Sequence, residues 1–221
     1  MKNLREFTKE DYDNKLVNLH IHTAHSDGEG DEKQILEAAK KQGYKLIAIT
    51  DHNTVEAHKK VQDEILLTGI EFDCWFGYVF IHLLGYGIDI NHPAIKPFLA
   101  KSKAETESVA LRLIPKRNVK KLISAIHEAG GIAVLAHPAC YWAISLDNLV
   151  KNLIKVGLDG IETYYPYPRF RKIVKFHSAK DVLKIAEKYP QLIKTGGTDF
   201  HGKVFKLFFF PFAKDCFCNE T

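Results

Sequence analysis

Hydrophobic and polar positions along the chain follow two periods that take turns. Residues 16–23, LVNLHIHT, alternate with period two as a half-buried strand does, and residues 31–43, DEKQILEAAKKQG, gather Ile35, Leu36, Ala38 and Ala39 on one helical face before a glycine stop. The succession returns in KLIAIT, 45–50, which predicts a strand, and in 54–67, which predicts a helix capped by Thr54. Helical 119–131 leads into the strand IAVLAH, 146–158 into GIETYY, and 178–189 into LIKTGGTDFH. Strands and helices alternating at these lengths predict an α/β fold with a parallel sheet, open or closed into a barrel.

Two stretches break the rhythm. FDCWFGYVFIHLLGY, 72–86, is aromatic and strand-like without a helix, so it reads as an antiparallel hairpin or an irregular barrel strand. Residues 91–118 form a basic helical insertion bounded by Pro93 and Pro115, either a lid over the strand ends or a solvated connection. Residues 1–15 read as a polar extension without the apolar core of a secretory signal. The aromatic tail 203–221 is expected to pack its apolar part, 204–212, against the barrel. No run approaches the roughly 18 apolar residues of a membrane span, so the expectation is a cytoplasmic protein with one domain over 16–221 and no membrane partner.

Composition narrows this only slightly. With 46% hydrophobic and 26% charged residues the chain is globular in type, and a net charge of +4 spread along its length neither demands nor excludes nucleic acid. Four cysteines in no zinc or disulfide spacing read as free thiols. Eleven histidines do change the picture, because over half lie at the ends of apolar runs.

Alternation puts His20 and His22 on the strand face opposite Leu19 and Ile21, their rings adjacent. One such pair is weak evidence for metal; recurrence is what carries weight. Successive strand ends supply His20, His22 and Asp27, then Asp51 and His52, Glu71, His82, His137, Glu162, and Asp199 with His201. Side chains at the carboxyl ends of parallel strands share one mouth. Carboxylates gathered there need cations to offset their burial, and mixed imidazole and carboxylate donors suit zinc, manganese or iron. A multinuclear metal centre follows. Ser26 reads as a turn residue, and no protein nucleophile stands out. Of the remaining histidines, His25, His58, His92 and His127 read as ordinary, and His177 as a group able to face the mouth.

In this order, HIHTAHSDG, ITDHN, GIEF, HLLGYG, AHP and GTDFH resemble the motifs of the polymerase and histidinol phosphatase (PHP) domain family over roughly residues 16–202. The chain looks most like its stand-alone phosphoesterases, which act on nucleoside 3′,5′-bisphosphates and on the 5′ ends of short RNA. The resemblance implies a distorted (βα)7 TIM-like barrel with a small helical insertion and three divalent ions. One would be held by His20, His22, Glu71 and Asp199, a second by Glu71, His82 and His137, and a third by Asp27, His52 and His201. Asp51 would orient a neighbouring histidine. A hydroxide bridging the ions would attack a phosphomono- or phosphodiester, with Glu71, Asp199, His52 and His201 at the centre of the chemistry.

The substrate is then a nucleotide or a short RNA or DNA, with no obligatory protein partner. Arg169 and Arg171, set among Tyr164, Tyr165 and Tyr167, suit phosphates and stacked bases; Arg112, Lys116 and Arg117 in the insertion are further candidates. Glu162 is expected either behind a metal ligand or against substrate. Two readings compete. A C–N hydrolase of the amidohydrolase type also opens with HxH but uses a bridging lysine where GIEF has glutamate, and a non-catalytic relic would have lost donors that are all present here.

Overall fold

The computed structural model describes residues 3–114, 117–167 and 176–202. Seven strands, β1 (Val17–Ile21), β2 (Leu46–Ile49), β3 (Leu66–Phe76), β4 (Val79–Tyr86), β5 (Ile132–Leu135), β6 (Gly160–Tyr164) and β7 (Ile193–Gly196), pair in chain order. β1, β2 and β3 run parallel, as do β5, β6 and β7, while β4 is antiparallel to both its neighbours. The sheet curls so far that its two edges approach each other. Ile21 bridges Phe200 just beyond β7, and the His22 amide donates to the Phe200 carbonyl at 2.9 Å. Asn18 adds a clasp, donating through Nδ2 to Thr198 Oγ1 at 2.8 Å and accepting the Thr198 amide at 3.1 Å.

The helices are α1 (Lys9–Asp13), α2 (Glu32–Lys41), α3 (Glu56–Lys60), α4 (Ala104–Glu107), α5 (Val109–Arg112), α6 (Val119–Glu128), α7 (Leu146–Lys155) and α8 (Ala179–Lys188). The four long ones begin at side-chain caps, Asp31, Asn118, Ser145 and Ser178, each accepting a backbone amide of the first turn. Each then buries one apolar stripe. α2 packs Ile35, Leu36 and Ala39 onto Ile21, Ile47 and Ile49, and α6, α7 and α8 cover the other half of the sheet through Leu122, Ile126, Leu149, Leu153, Val182 and Ile185.

Several sequence expectations need correction. The helix expected over 54–67 is only α3, with Val55 and not Thr54 before its first residue. Leu66 and Leu67 belong to β3, paired with Ile47 and Ala48, so sheet pairing overrides local helix preference there. The stretch 72–86 resolves as a hairpin: β3 and β4 pair from Gly69 opposite Tyr86 to Phe76 opposite Val79, and Gly77 turns between them at φ 61°, where glycine bears no steric cost. Leu19 and Ile21 pack into different clusters, with a register shift between Asn18 and Ile21.

The N-terminal segment docks on the sheet, burying Leu4 and Tyr12 beside Val17 and Ile193. The stretch read as an insertion is mostly single turns, and Thr106 Oγ1 reaches back to the His25 carbonyl at 3.0 Å. Cys74 and Cys140 are free thiols. Lys116, Arg169, Arg171 and the tail 203–221 lie outside the described residues. Among the described residues no helix is long and apolar enough to cross a membrane.

Candidate metal centre

Backbone architecture brings the strand-end side chains into one mouth. β1 presents His20 and His22, whose ring centroids lie 5.2 Å apart. Gly197 runs against His20 and Gly28 against the His22 carbonyl so closely that neither site has room for a Cβ. His52 follows β2 and bridges to Glu71 of β3, with the Asn53 amide on the Glu71 carbonyl at 2.8 Å. Glu71 therefore sits within β3 and His82 within antiparallel β4, not at the ends of parallel strands. His137 and Asp199 take positive φ values of 22° and 49°, a left-handed backbone that costs non-glycine residues energy and aims both side chains inward.

Three donor sets result, each with its donor atoms within 4.8 Å of one another. In the inner set, His20 Nε2 and His22 Nε2 lie 3.3 and 3.2 Å from Glu71 Oε2, and 3.3 and 3.1 Å from Asp199 Oδ1. In a second set, Glu71 Oε1 meets His82 Nδ1 at 2.9 Å and His137 Nε2 at 3.1 Å. The outer set joins His22, Asp27, His52 and His201, with His201 Nε2 3.2 Å from Asp27 Oδ1 and His52 Nε2 3.7 Å from Asp27 Oδ2. A further group, His52, Asp73 and His82, adjoins both.

Whether cations fit can be judged from unmade bonds. His20 Nε2, His22 Nε2, Asp27 Oδ1 and Glu71 Oε2 are buried and make no hydrogen bond, although opposite-sign partners stand close by. Buried polar atoms are rarely left so. Atoms that aim at a common centre and not at one another suit a shared divalent ion, and the donor types are those zinc, manganese and iron accept. The charge balance agrees. Burial opposes charging His20, yet the carboxylates of Glu162, Glu71 and Asp199 outweigh it and hold the ring well above its ordinary value. His22 is likewise pushed up to about 9, burial being overcome by the adjacent carboxylates of Asp199 and Glu71. Burial would raise Glu71 and Asp199, but the surrounding imidazoles hold both well below the usual carboxylate range. The carboxylates that favour the charged forms of His20 and His22 are the same groups that would favour a bound cation.

Behind the donors stands a second layer. Glu162, fully buried, faces His20 Nδ1 at 3.0 Å through one oxygen and accepts the His137 amide at 2.7 Å through the other, so both oxygens are taken up by ligand candidates. Among the described residues Asp51 makes no hydrogen bond to a histidine side chain. It accepts the Thr23 amide and hydroxyl, both at 2.7 Å, and Ser26 Oγ at 2.6 Å; Ser26 in turn lies 3.4 Å from His22 Nδ1. Tyr165 donates to Asp199 Oδ2 at 2.8 Å.

Other expectations change. The tyrosines are not a free stacking platform, since Tyr167 Oη accepts the Ala139 amide and Tyr164 packs on Tyr12. Arg112 is buried with its guanidinium 3.1 Å from Asp27 Oδ2. Arg117 is spent on the Phe98 and Asp73 carbonyls, at 2.7 and 3.1 Å. His177 donates to the Ala143 carbonyl. Asp73, fully buried beside His52 and His82, was missed; the one available signal is that it lies two residues after Glu71, on the same strand face.

Comparison with known proteins finds relatives over most of the chain. The chain is 24% identical over 85% of its length to a phosphoribosyl 1,2-cyclic phosphate 1,2-diphosphodiesterase from Eggerthella lenta, 95% of which is covered. It is 30% identical over 66% of its length to the 5′-3′ exoribonuclease Rnm of Salmonella typhimurium, and that match spans 56% of the ribonuclease. Among solved structures, an amidohydrolase from Chromobacterium violaceum with bound sulfate and no metal superposes with a TM-score of 0.67 at 19% identity, over 85% of this chain and 88% of that one. A protein from Bifidobacterium adolescentis described as a metal-dependent phosphoesterase superposes at 0.63 and 22%, with the same coverage. At such identities the structures speak for the fold alone. The model of the PHP domain matches residues 18–198, from the strand that bears His20 and His22 to the residue before Asp199, and the chain belongs to that family.

Proposed function

We propose that the chain is a metal-dependent phosphoesterase acting on nucleotides or on the 5′ ends of short nucleic acids. The observation that carries this is the convergence of buried, unsatisfied imidazole and carboxylate atoms around Glu71. Relatives named as a cyclic phosphate diphosphodiesterase and a 5′-3′ exoribonuclease support the substrate class. His20, His22, Glu71 and Asp199 would hold one cation, Glu71, His82 and His137 a second, and Asp27, His52 and His201 a third. Bound divalent ions supply water activation near neutral pH and offset the charge of the phosphoryl oxygens.

The chain's own residues do the rest. Glu71 presents one oxygen to each of the first two sets, so it fixes their spacing. Glu162 locks the His20 ring and the His137 backbone together. Tyr165 holds Asp199 by its second oxygen, leaving Oδ1 toward His20 and His22. Arg112 brings a guanidinium beside Asp27, where it can bind a phosphoryl oxygen, and Arg169 and Arg171 are proposed as further phosphate contacts. A carbon–nitrogen hydrolase is disfavoured because a carboxylate, Glu71, occupies the bridging place.

The test is product release by manganese-loaded protein from adenosine 3′,5′-bisphosphate, a ribose 1,2-cyclic phosphate and a short 5′-phosphorylated RNA. Release of phosphate or mononucleotide that is lost in Asp199→Ala is expected, and the preferred substrate names the reaction. Silence on all three, from folded protein shown to hold manganese, overturns the proposal.

A further inference from the structure

Asp73 is not in any of the three donor sets proposed to hold cations, yet few side chains are held more firmly. It is fully buried. Its Oδ2 takes a short hydrogen bond from the Asn53 amide group, its backbone amide donates to Asn53 Oδ1 at 3.0 Å, and its carbonyl accepts Arg117 at 3.1 Å. Asn53 itself sits at φ 54°, a left-handed conformation that asparagine tolerates better than most residues. This clamp leaves Asp73 Oδ1 close to two imidazoles, with neither it nor His52 Nδ1 engaged in any other hydrogen bond. His52 Nδ1 is 3.3 Å away and His82 Nε2 3.1 Å away. These are the far nitrogens of both rings: His52 Nε2 turns toward Asp27 and Glu71, and His82 Nδ1 toward Glu71.

We infer that Asp73 is a positioning residue that sets the tautomers of His52 and His82 together, drawing the proton to Nδ1 of one ring and to Nε2 of the other. This rests on the reading of the site as a metal centre. A histidine that binds a cation through one nitrogen carries its proton on the other, and a carboxylate behind that proton fixes the ring and raises its basicity. One carboxylate oxygen serving two rings couples the second and outer donor sets, since His82 belongs to one and His52 to the other. An additional cation at Asp73 is the less economical arrangement: each ring would have to surrender both protons and bind through both nitrogens while its near nitrogen already serves another set.

Two measurements decide. In the first, wild type and Asp73→Asn are titrated with manganese alone, following free ion by electron paramagnetic resonance and counting ions per chain at saturation. The expected result is an unchanged number of ions with affinity weakened about 10- to 100-fold. Unchanged affinity overturns the inference, and so does the loss of one ion per chain, which would make Asp73 a ligand. Wild type that binds no manganese refutes the metal-centre reading itself. In the second, nitrogen-15 spectra of histidine-labelled, zinc-loaded wild type report where each ring carries its proton, independently of whether the variant folds. Protons on His52 Nδ1 and His82 Nε2 are expected; either proton on the opposite nitrogen overturns the inference.

Discussion

In the inner donor set His20, His22 and Glu71 are closed off from solvent and Asp199 is 19% exposed, whereas in the outer set Asp27 and His201 are 21% and 38% exposed. The difference follows from what carries the residues. His20, Glu71 and their support Glu162 lie on strands within the sheet, while Asp27 and His201 lie on loops, with Arg112 reaching Asp27 from the insertion. Strand-borne donors are fixed before any ion arrives, and loop-borne donors can yield. The inner set is thus the more enclosed of the two and the outer set the more open to solvent.

Four experiments bear on this contrast. Glu71→Gln, which takes a charge from two sets at once, should lower kcat/KM by at least roughly 10³-fold, the several kcal/mol that metal-borne charge stabilisation is worth; retention of activity within tenfold would break the contrast. Glu162→Gln should weaken manganese at the tightest site by about 10- to 100-fold, with the looser ions unaffected, as read by metal content after graded dialysis. Arg112→Met should leave the tightest ion in place and raise KM roughly tenfold, a hydrogen bond to a charged group being worth about 1.5 kcal/mol. The smallest effect concerns the β2–β3 seam beneath the site. His58 Nε2 donates between the Ile49 and Gly69 carbonyls at 2.9 and 3.0 Å, and burial holds its ring below the ordinary value of 6.5. The folded chain favours the neutral ring, so that contribution is complete above about pH 6.5 and is lost as the pH falls through the lowered folded value. The stability advantage of wild type over His58→Gln should accordingly shrink on acidification, measured by urea unfolding at several pH values.

Residues whose roles follow from periodicity were legible beforehand. α2, α6, α7 and α8 announce themselves by a cap and an apolar stripe, and His20, His22, His137 and Asp199 by their place at the ends of apolar runs. What periodicity does not encode was missed. The shortness of α3 depends on β2 claiming Leu66 and Leu67. Asp51 meets Ser26 and not a histidine because the first loop folds back over it, a loop shape that no local pattern specifies. Tyr165 was read for its ring face, and the hydroxyl that it donates to Asp199 was not foreseen. Asp73 hid in an aromatic strand whose alternation was read for folding and not for chemistry.

The clasp between Asn18 and Thr198 joins positions 180 residues apart in the chain. During synthesis His20 and His22 leave the ribosome long before Asp199 and His201 exist, by roughly ten to forty seconds at about 5–20 residues per second. Throughout that interval His20 and His22 lack the Asp199 carboxylate that completes their donor set. The donors carried near the two ends of this stretch therefore meet only once the sheet's edges have closed on each other.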